Sequence, residues 1–328
     1  MAKPSEFEII EGYFASLAGE GSYGLKDDAA ELVPKTGYSL VITQDAIAEN
    51  IHFFSKDAAD LIARKAIRVN LSDLAAKGAI PQSVSVALGL GNDWSEEWIS
   101  LFAKGLSVDC KEFGVTINGG DTFRTGGGFV ISVTAIGEVP TGEYVSRLGA
   151  QSTDLLYVSG TIGDAALGLL VRQEIIEGIS NEESTYLTNR YLLPQPRTEL
   201  TGIIRKFASA SMDVSDGFVG DLGKMCSVSG VSAEVKFQKI PFSEAARSVF
   251  ECESRYIQSA LTGGDDYEIL FTISQSDQEE LEQAISGLGL SVTCVGSIGE
   301  GEGVTVFDRD GSVIEFQTSH YDHSDMKN

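Results

Sequence analysis

The stretch from Asp57 to Lys77, DAADLIARKAIRVNLSDLAAK, decides the architecture. Leu61, Ile62, Ala66, Val69 and Leu74 recur at helical spacing, Gly78 follows as a C-terminal cap, and Pro81 lies beyond. That spacing predicts one long helix with a single buried face. Apolar runs at Ser39–Thr43 before it, and at Phe129–Gly137, Leu155–Ser159, Glu268–Ser274 and Val292–Ile298 after it, read as strands. A second helix is expected from Asp93 to Phe113, with Asp93 and Glu96 at capping-box spacing. Others are expected at Ile162–Glu174, Phe218–Ser227 and Asp277–Gly287. Asp308-Arg309-Asp310-Gly311 reads as a hairpin turn between Val304–Phe307 and Val313–Phe316, and Gly126-Gly127-Gly128 as another. Strands and helices mix in both halves, which predicts an α/β (α+β mixed) protein. Gly, Pro, Ser and Thr accumulate between Pro140 and Ser152, so the expected domains are residues 1–145 and 146–328.

The chain has 328 residues, and 48 Asp and Glu against 24 Lys and Arg give a formal charge of -24. Such a field repels nucleic acid and anionic membranes, and a polyanionic substrate would need cations as intermediaries. Most of these acids are expected simply to solvate the surface. Cys110, Cys226, Cys252 and Cys294 are too scattered for a zinc or redox motif. With no apolar signal core in MAKPSEFEII and no membrane-length apolar run, a cytoplasmic location is expected.

Some acids have special settings. Asp45 follows the apolar run Tyr38–Thr43, which predicts a side chain emerging at a strand's carboxyl end. Asp27 and Asp28 precede two alanines. Asn70 and Asp73 share one face of the long helix, and a carboxylate directed inward needs a cation or several donors. Asp121 follows Gly119-Gly120, whose bare backbone can approach a phosphate. Asp213-Val214-Ser215-Asp216-Gly217 places two acids and a hydroxyl before a helix, where metal ligation and anion binding at the helix N-terminus can combine. Any one of these segments alone is better read as a turn or cap. Five in one chain favour hard oxygen ligands for magnesium. No P-loop or protein-kinase motif is present, so a nucleotide site must be of another design.

Taken in order, the motifs are similar to those of the thiamine-monophosphate kinase family, in the ATP-binding superfamily that includes aminoimidazole ribonucleotide synthetase. They are Asp27-Asp28-Ala29-Ala30, the Asp45 to Phe53 segment, Arg68 to Ala76, Gly119 to Thr122, Arg147 to Ala150, Pro194-Gln195-Pro196-Arg197, Asp213 to Gly217, and Gly263-Gly264-Asp265-Asp266-Tyr267-Glu268. The resemblance implies a two-domain synthetase-like fold, an N-terminal domain with a dimer-forming sheet and a C-terminal α/β domain. It implies ATP-dependent phosphorylation of thiamine monophosphate by direct, magnesium-assisted transfer in a homodimer. By the same resemblance Asp28, Thr43, Gln44, Asp45, Asp73, Asp121, Asp213 and Asp216 are expected to hold several Mg2+ ions. Gly120, Asp121, Arg147 and Ser215 are expected to contact ATP, and His52, Asp265 and Tyr321 to contact the acceptor. Asp45, Asp73, Asp121 and Arg147 are the expected catalytic set. Lys26, Gln44, Asp265 and His320 depart from the family's usual residues, and Lys26 brings a cation beside Asp27 and Asp28. His320 and His323, three apart near the chain end, read as part of a polar tail. The competing readings are another ATP-dependent enzyme of the superfamily and a noncatalytic acidic metal-binding protein.

Overall fold

The structure, a computed structural model, describes residues 4–316; Tyr321, His320 and His323 lie outside the described residues. The chain forms two compact units. One comprises residues up to Leu74 with Ala79–Glu143, the other Ala75–Gly78 with the residues from Tyr144 onward.

The first unit contains α1 (Glu6–Ile9), β1 (Tyr38–Ala48), α2 (Ala59–Ala76), β2 (Ile80–Leu90), α3 (Glu96–Phe113), β3 (Thr116–Arg124) and β4 (Val130–Pro140). Its sheet has the order β1-β4-β2-β3. Alternation along the strands buries Val84, Val86 and Leu88 of β2 and Ile131, Val133 and Ala135 of β4, in one core with Ile62, Ile67 and Leu71 of α2 and Phe102 and Leu106 of α3. Leu40 and Ile42 of β1 stay exposed, Ile42 at 65%. A buried charge network joins the two helices: Arg68 donates to Asp109 at 2.7 and 3.0 Å and to Glu112 at 2.9 Å, and Arg64 donates to Asp109 at 2.7 Å.

Several expectations change here. β1 does not stop before Asp45 but runs to Ala48, and Asp45 pairs with Val133 inside the strand. β3 continues through Gly119, Gly120 and Asp121, so Asp121 also lies within a strand. Gly120 permits that continuation, because a Cβ there would lie 2.0 Å from the Val86 carbonyl oxygen. Gly126-Gly127-Gly128 is not a hairpin turn, since β3 and β4 flank β2 instead of pairing with each other. The α3 cap is Ser95, whose hydroxyl accepts the Trp98 amide at 3.1 Å, not Asp93.

The second unit contains β5 (Leu155–Ser159), α4 (Asp164–Arg172), α5 (Asn181–Leu192), α6 (Thr201–Phe207), β6 (Ala208–Asp213), α7 (Phe218–Ser229), β7 (Ser232–Lys236), α8 (Glu244–Cys252), α9 (Tyr256–Thr262), β8 (Ile269–Ile273), α10 (Gln278–Ile285), β9 (Val292–Gly299) and β10 (Gly303–Phe307). The six strands run in the order β10-β7-β9-β5-β8-β6. Both sheet faces are covered: Leu156, Val158 and Met212 pack with Phe218 and Leu222, while Tyr157 and Phe271 pack with Ile204 and Leu281. Of the expected final hairpin only the turn and one bridge form, Phe307 to Val313, and β10 pairs instead in parallel with β7. The mixed α/β class holds in both units. Among the described residues no helix is long and apolar enough to cross a membrane.

Candidate active site

In the first unit, β1 and α2 bring one set of expected residues together. Thr43 donates its hydroxyl to Asp73 Oδ2 at 2.5 Å, and Asn70 Oδ1 accepts the Asp45 amide at 2.9 Å. Asn70 is itself held by the Ala66 carbonyl at 3.0 Å. Thr43 and Asp45 alternate onto the helix-covered face, whereas Gln44 points the other way and donates to Ser132 at 2.9 Å. The Gln44 side chain is therefore directed away from the Asp45 group. His52 follows β1 in a tight turn; its Nδ1 accepts the Ala48 amide at 3.1 Å, which puts the proton of the neutral ring on Nε2.

A second set lies across the sheet. A cavity of about 550 Å3 is lined by apolar Phe7, Ile10, Phe14, Val86 and Leu106 together with polar Asp27, Asp28, Asn118, Gly119, Gly120 and Asp121. Apolar side chains mixed with exposed carboxylates and a bare glycine backbone suit a ligand that carries both a ring and anionic oxygens. Lys26 also lines this cavity, and its ammonium sits 3.6 Å from Glu11. Asp45, Val133, Val86 and Gly120 occupy one row across the four strands. Asp45 and Asp121 thus stand about three strand spacings, ~14 Å, apart.

In the second unit, two motifs distant in sequence are zipped together by backbone bonds. The Asp265 amide donates to the Ser215 carbonyl at 2.9 Å, the Tyr267 amide to Val214 at 2.8 Å, and the Val214 amide to Glu268 at 2.8 Å. Asp265 adopts φ +74°, and a Cβ on Gly264 would lie 2.1 Å from the Ser215 carbonyl oxygen, so the contact requires glycine. Glu268 anchors the junction. Its fully buried carboxylate accepts Ser159 at 2.6 Å, Arg190 at 2.8 Å and Arg197 at 2.7 and 2.5 Å. Burial opposes its charge, but Arg197, Arg190 and Ser159 outweigh burial and hold the carboxyl below the ordinary glutamate range. Neighbouring Asp266 accepts the Gly163 and Ala165 amides at 2.6 and 3.1 Å, and burial pushes its carboxyl up to about 8. Asp213 ends β6 and is buried. Arg147 is exposed, with its carbonyl taken by Ser229 at 3.1 Å. The Ser215 and Asp216 amides are already occupied by Asp221, so the anion role expected of them is filled by the chain's own carboxylate.

Among the described residues, no three His, Cys, Asp or Glu side chains converge as a ready metal cage. Carboxylates in ones and twos nonetheless fit magnesium, which keeps several waters and takes its remaining oxygens from phosphates.

Residues 26–139 match the family model AIR synthase related protein, N-terminal domain, and residues 151–309 match AIR synthase related protein, C-terminal domain. The thiamine-monophosphate kinase of Haemophilus influenzae is 38% identical over 326 residues, with 97% of this chain and 97% of the relative covered. The chain belongs to the thiamine-monophosphate kinase family. Among solved structures, thiamine-monophosphate kinase from Stenotrophomonas maltophilia K279a matches with a TM-score of 0.80 and 38% identity, covering 88% of this chain and 91% of that one. AaThiL complexed with AMPPCP and TMP matches with a TM-score of 0.76 and 31% identity, covering 96% of each chain.

For this thiamine-monophosphate kinase family member, sequence reasoning gave no role to Glu268, Arg190, Asp221 or Lys224. A signal existed for Asp221, an acid in the first turn of the helix that follows Asp213–Gly217. Arg197 and Glu268 stand in two of the ordered motifs, but nothing in the sequence pairs them, because the arginines come from the distant positions 190 and 197.

Proposed function

We propose that this chain phosphorylates thiamine monophosphate to thiamine diphosphate with ATP, by direct in-line transfer in the cytoplasm. The observation that carries this reading is the near full-length match to thiamine-monophosphate kinases, one similar chain of which is complexed with AMPPCP and TMP. The geometry supports it through the cavity lined by Asp28, Gly120 and Asp121, and through the zipped Ser215 and Asp265 segments. Four free cysteines suit a reducing compartment.

Asp28, Thr43, Asp45, Asp73, Asp121, Asp213 and Asp216 are the groups assigned to face Mg2+, whereas Gln44, whose side chain turns away to Ser132, is left out of the Asp45 group. Bound magnesium would supply charge neutralisation across the phosphates of both substrates. Within the chain, Thr43 fixes the Asp73 carboxylate by its hydrogen bond, and Asn70 fixes the backbone at Asp45. Gly120, Asp121, Arg147 and Ser215 are assigned to ATP, with Arg147 exposed and able to reach an anion and Ser215 acting through its hydroxyl because its amide is held by Asp221. His52, Asp265 and Tyr321 are assigned to the acceptor. The attacking oxygen belongs to a phosphate already ionised near neutral pH, so no general base is needed, and positioning dominates. His52 accordingly binds instead of taking a proton.

The N-terminal domain, residues 1–145, is assigned ATP, metal binding and dimerisation, and residues 146–328 the remaining nucleotide, metal and acceptor contacts. A homodimer is supported by β1, an eleven-residue edge strand bearing exposed Leu40 and Ile42. It is supported too by the ~14 Å between Asp45 and Asp121, which is too far for one ion to touch both within one sheet. Asp45→Asn is the direct test: turnover disappears while circular dichroism and the unfolding midpoint stay unchanged. Near-normal turnover would remove Asp45 from the reaction.

A further inference from the structure

The Asp213–Gly217 segment is held from within by two side chains of the helix that follows it. Asp221, fully buried in the first turn of α7, accepts the Ser215 and Asp216 amides through Oδ2, each at 2.9 Å. Its Oδ1 accepts the Lys224 ammonium at 2.8 Å. Asp221 and Lys224 lie three residues apart on one face of α7, and this brings the ammonium back over the helix start. There Lys224 also donates to Asp216 Oδ2. The Lys224 and Asp216 side chains remain 37% and 36% exposed, so this second contact faces solvent, unlike the first.

We infer that Lys224 is a tethered counter-cation for Asp216, occupying the place of a divalent ion on that carboxylate and setting the ion concentration at which the position fills. The inference rests on the reading of Asp216 as a magnesium-facing group. Lysine is a compact point charge on a flexible stem, and an ammonium bound to a carboxylate oxygen repels a divalent ion approaching the same group. Release costs little because only one of two contacts breaks. Lys224 keeps Asp221, and Asp221 keeps the two amides, so the loop retains its shape while Asp216 becomes available. Lys224 is thus a positioning residue that tunes ion occupancy, and no group on it reacts.

The test is Mn2+ binding to the full-length protein, followed by the electron paramagnetic resonance signal of free Mn2+. Wild type, Lys224→Gln, Lys224→Arg and Asp216→Asn are compared. Lys224→Gln is expected to tighten one class of sites about three- to fivefold, the scale of a partly exposed ion pair. Lys224→Arg should stay near wild type, and Asp216→Asn should lose that class. The Mg2+ midpoint of turnover should fall by the same factor in Lys224→Gln, without a change in KM for the acceptor. If Asp216→Asn loses an ion but Lys224→Gln binds Mn2+ no tighter, the counter-cation role is wrong and the metal reading stands. If Asp216→Asn binds as many ions as wild type, Asp216 is not a ligand and both ideas fall.

Discussion

Replacing Glu268 by alanine removes a carboxylate that is fully buried and accepts hydrogen bonds from Ser159, Arg190 and Arg197. The two guanidinium side chains left behind are only 10% and 16% exposed, so water cannot replace the lost partner. Breaking a buried pair in this way costs ~3–5 kcal/mol, against ~5–15 kcal/mol for a whole domain. With a urea slope of ~2 kcal/mol/M, the midpoint of the second unit should fall by about 2 M. The only tryptophans, Trp94 and Trp98, lie in the first unit, so their fluorescence reports on the wrong part of the chain. Far-ultraviolet circular dichroism is the appropriate probe, with tryptophan fluorescence as the internal comparison. Because the Glu268 carboxyl is held below its ordinary range, its contribution is present above the unfolded pKa of about 4.5 and is lost as pH falls through the folded value. The triple change Arg190→Met, Glu268→Leu, Arg197→Met should recover part of the stability, since it removes the Glu268 cluster's charges together but takes Arg190 away from buried Asp164, 3.7 Å from it, which keeps only hydroxyl donors. A shift of less than about 1 kcal/mol in Glu268→Ala would refute the reasoning, because the arginines would then have to be satisfied without it.

Two further outcomes follow from the geometry. If the proposed homodimer shares its sites between subunits, Asp45→Asn and Asp121→Asn proteins should each be inactive and mixed dimers of the two should regain turnover, because one of the two sites would then carry both native acids; inactive mixed dimers would place the pair within one subunit. For Asp266, burial raises the carboxyl from 3.8 to about 8, so folding takes up a proton and this group's stabilisation is lost as pH rises across that window. The thermal midpoint of Asp266→Asn should therefore vary less between pH 5 and 8 than that of wild type, and equal slopes would show that Asp266 is ionised in the folded chain.

The long helices were legible because apolar residues return at helical spacing and Gly78 and Gly114 end them with left-handed backbone. Strands were legible where alternation or a continuous apolar run was unbroken, as in β4 and β5. β2 was not, since Pro81 and the polar Gln82, Ser83 and Ser85 interrupt its apolar residues. β3 was not legible either, because paired glycines ordinarily interrupt strands, whereas here they let β3 approach β2. The carboxylates themselves were legible from their odd settings, and their grouping was not. Nothing local in the sequence says that Thr43 meets Asp73, that Gly264 meets Ser215, or that Lys224 reaches back to Asp216. Those are properties of the packed chain.

The central claim is phosphoryl transfer to an acceptor that already carries phosphate. It is tested most directly by incubating the purified protein with γ-labelled ATP, Mg2+ and thiamine monophosphate, then separating the products. The account predicts labelled thiamine diphosphate formed in equal amount with ADP, and none when thiamine replaces thiamine monophosphate. Label released only as inorganic phosphate, with thiamine monophosphate unchanged, would contradict it.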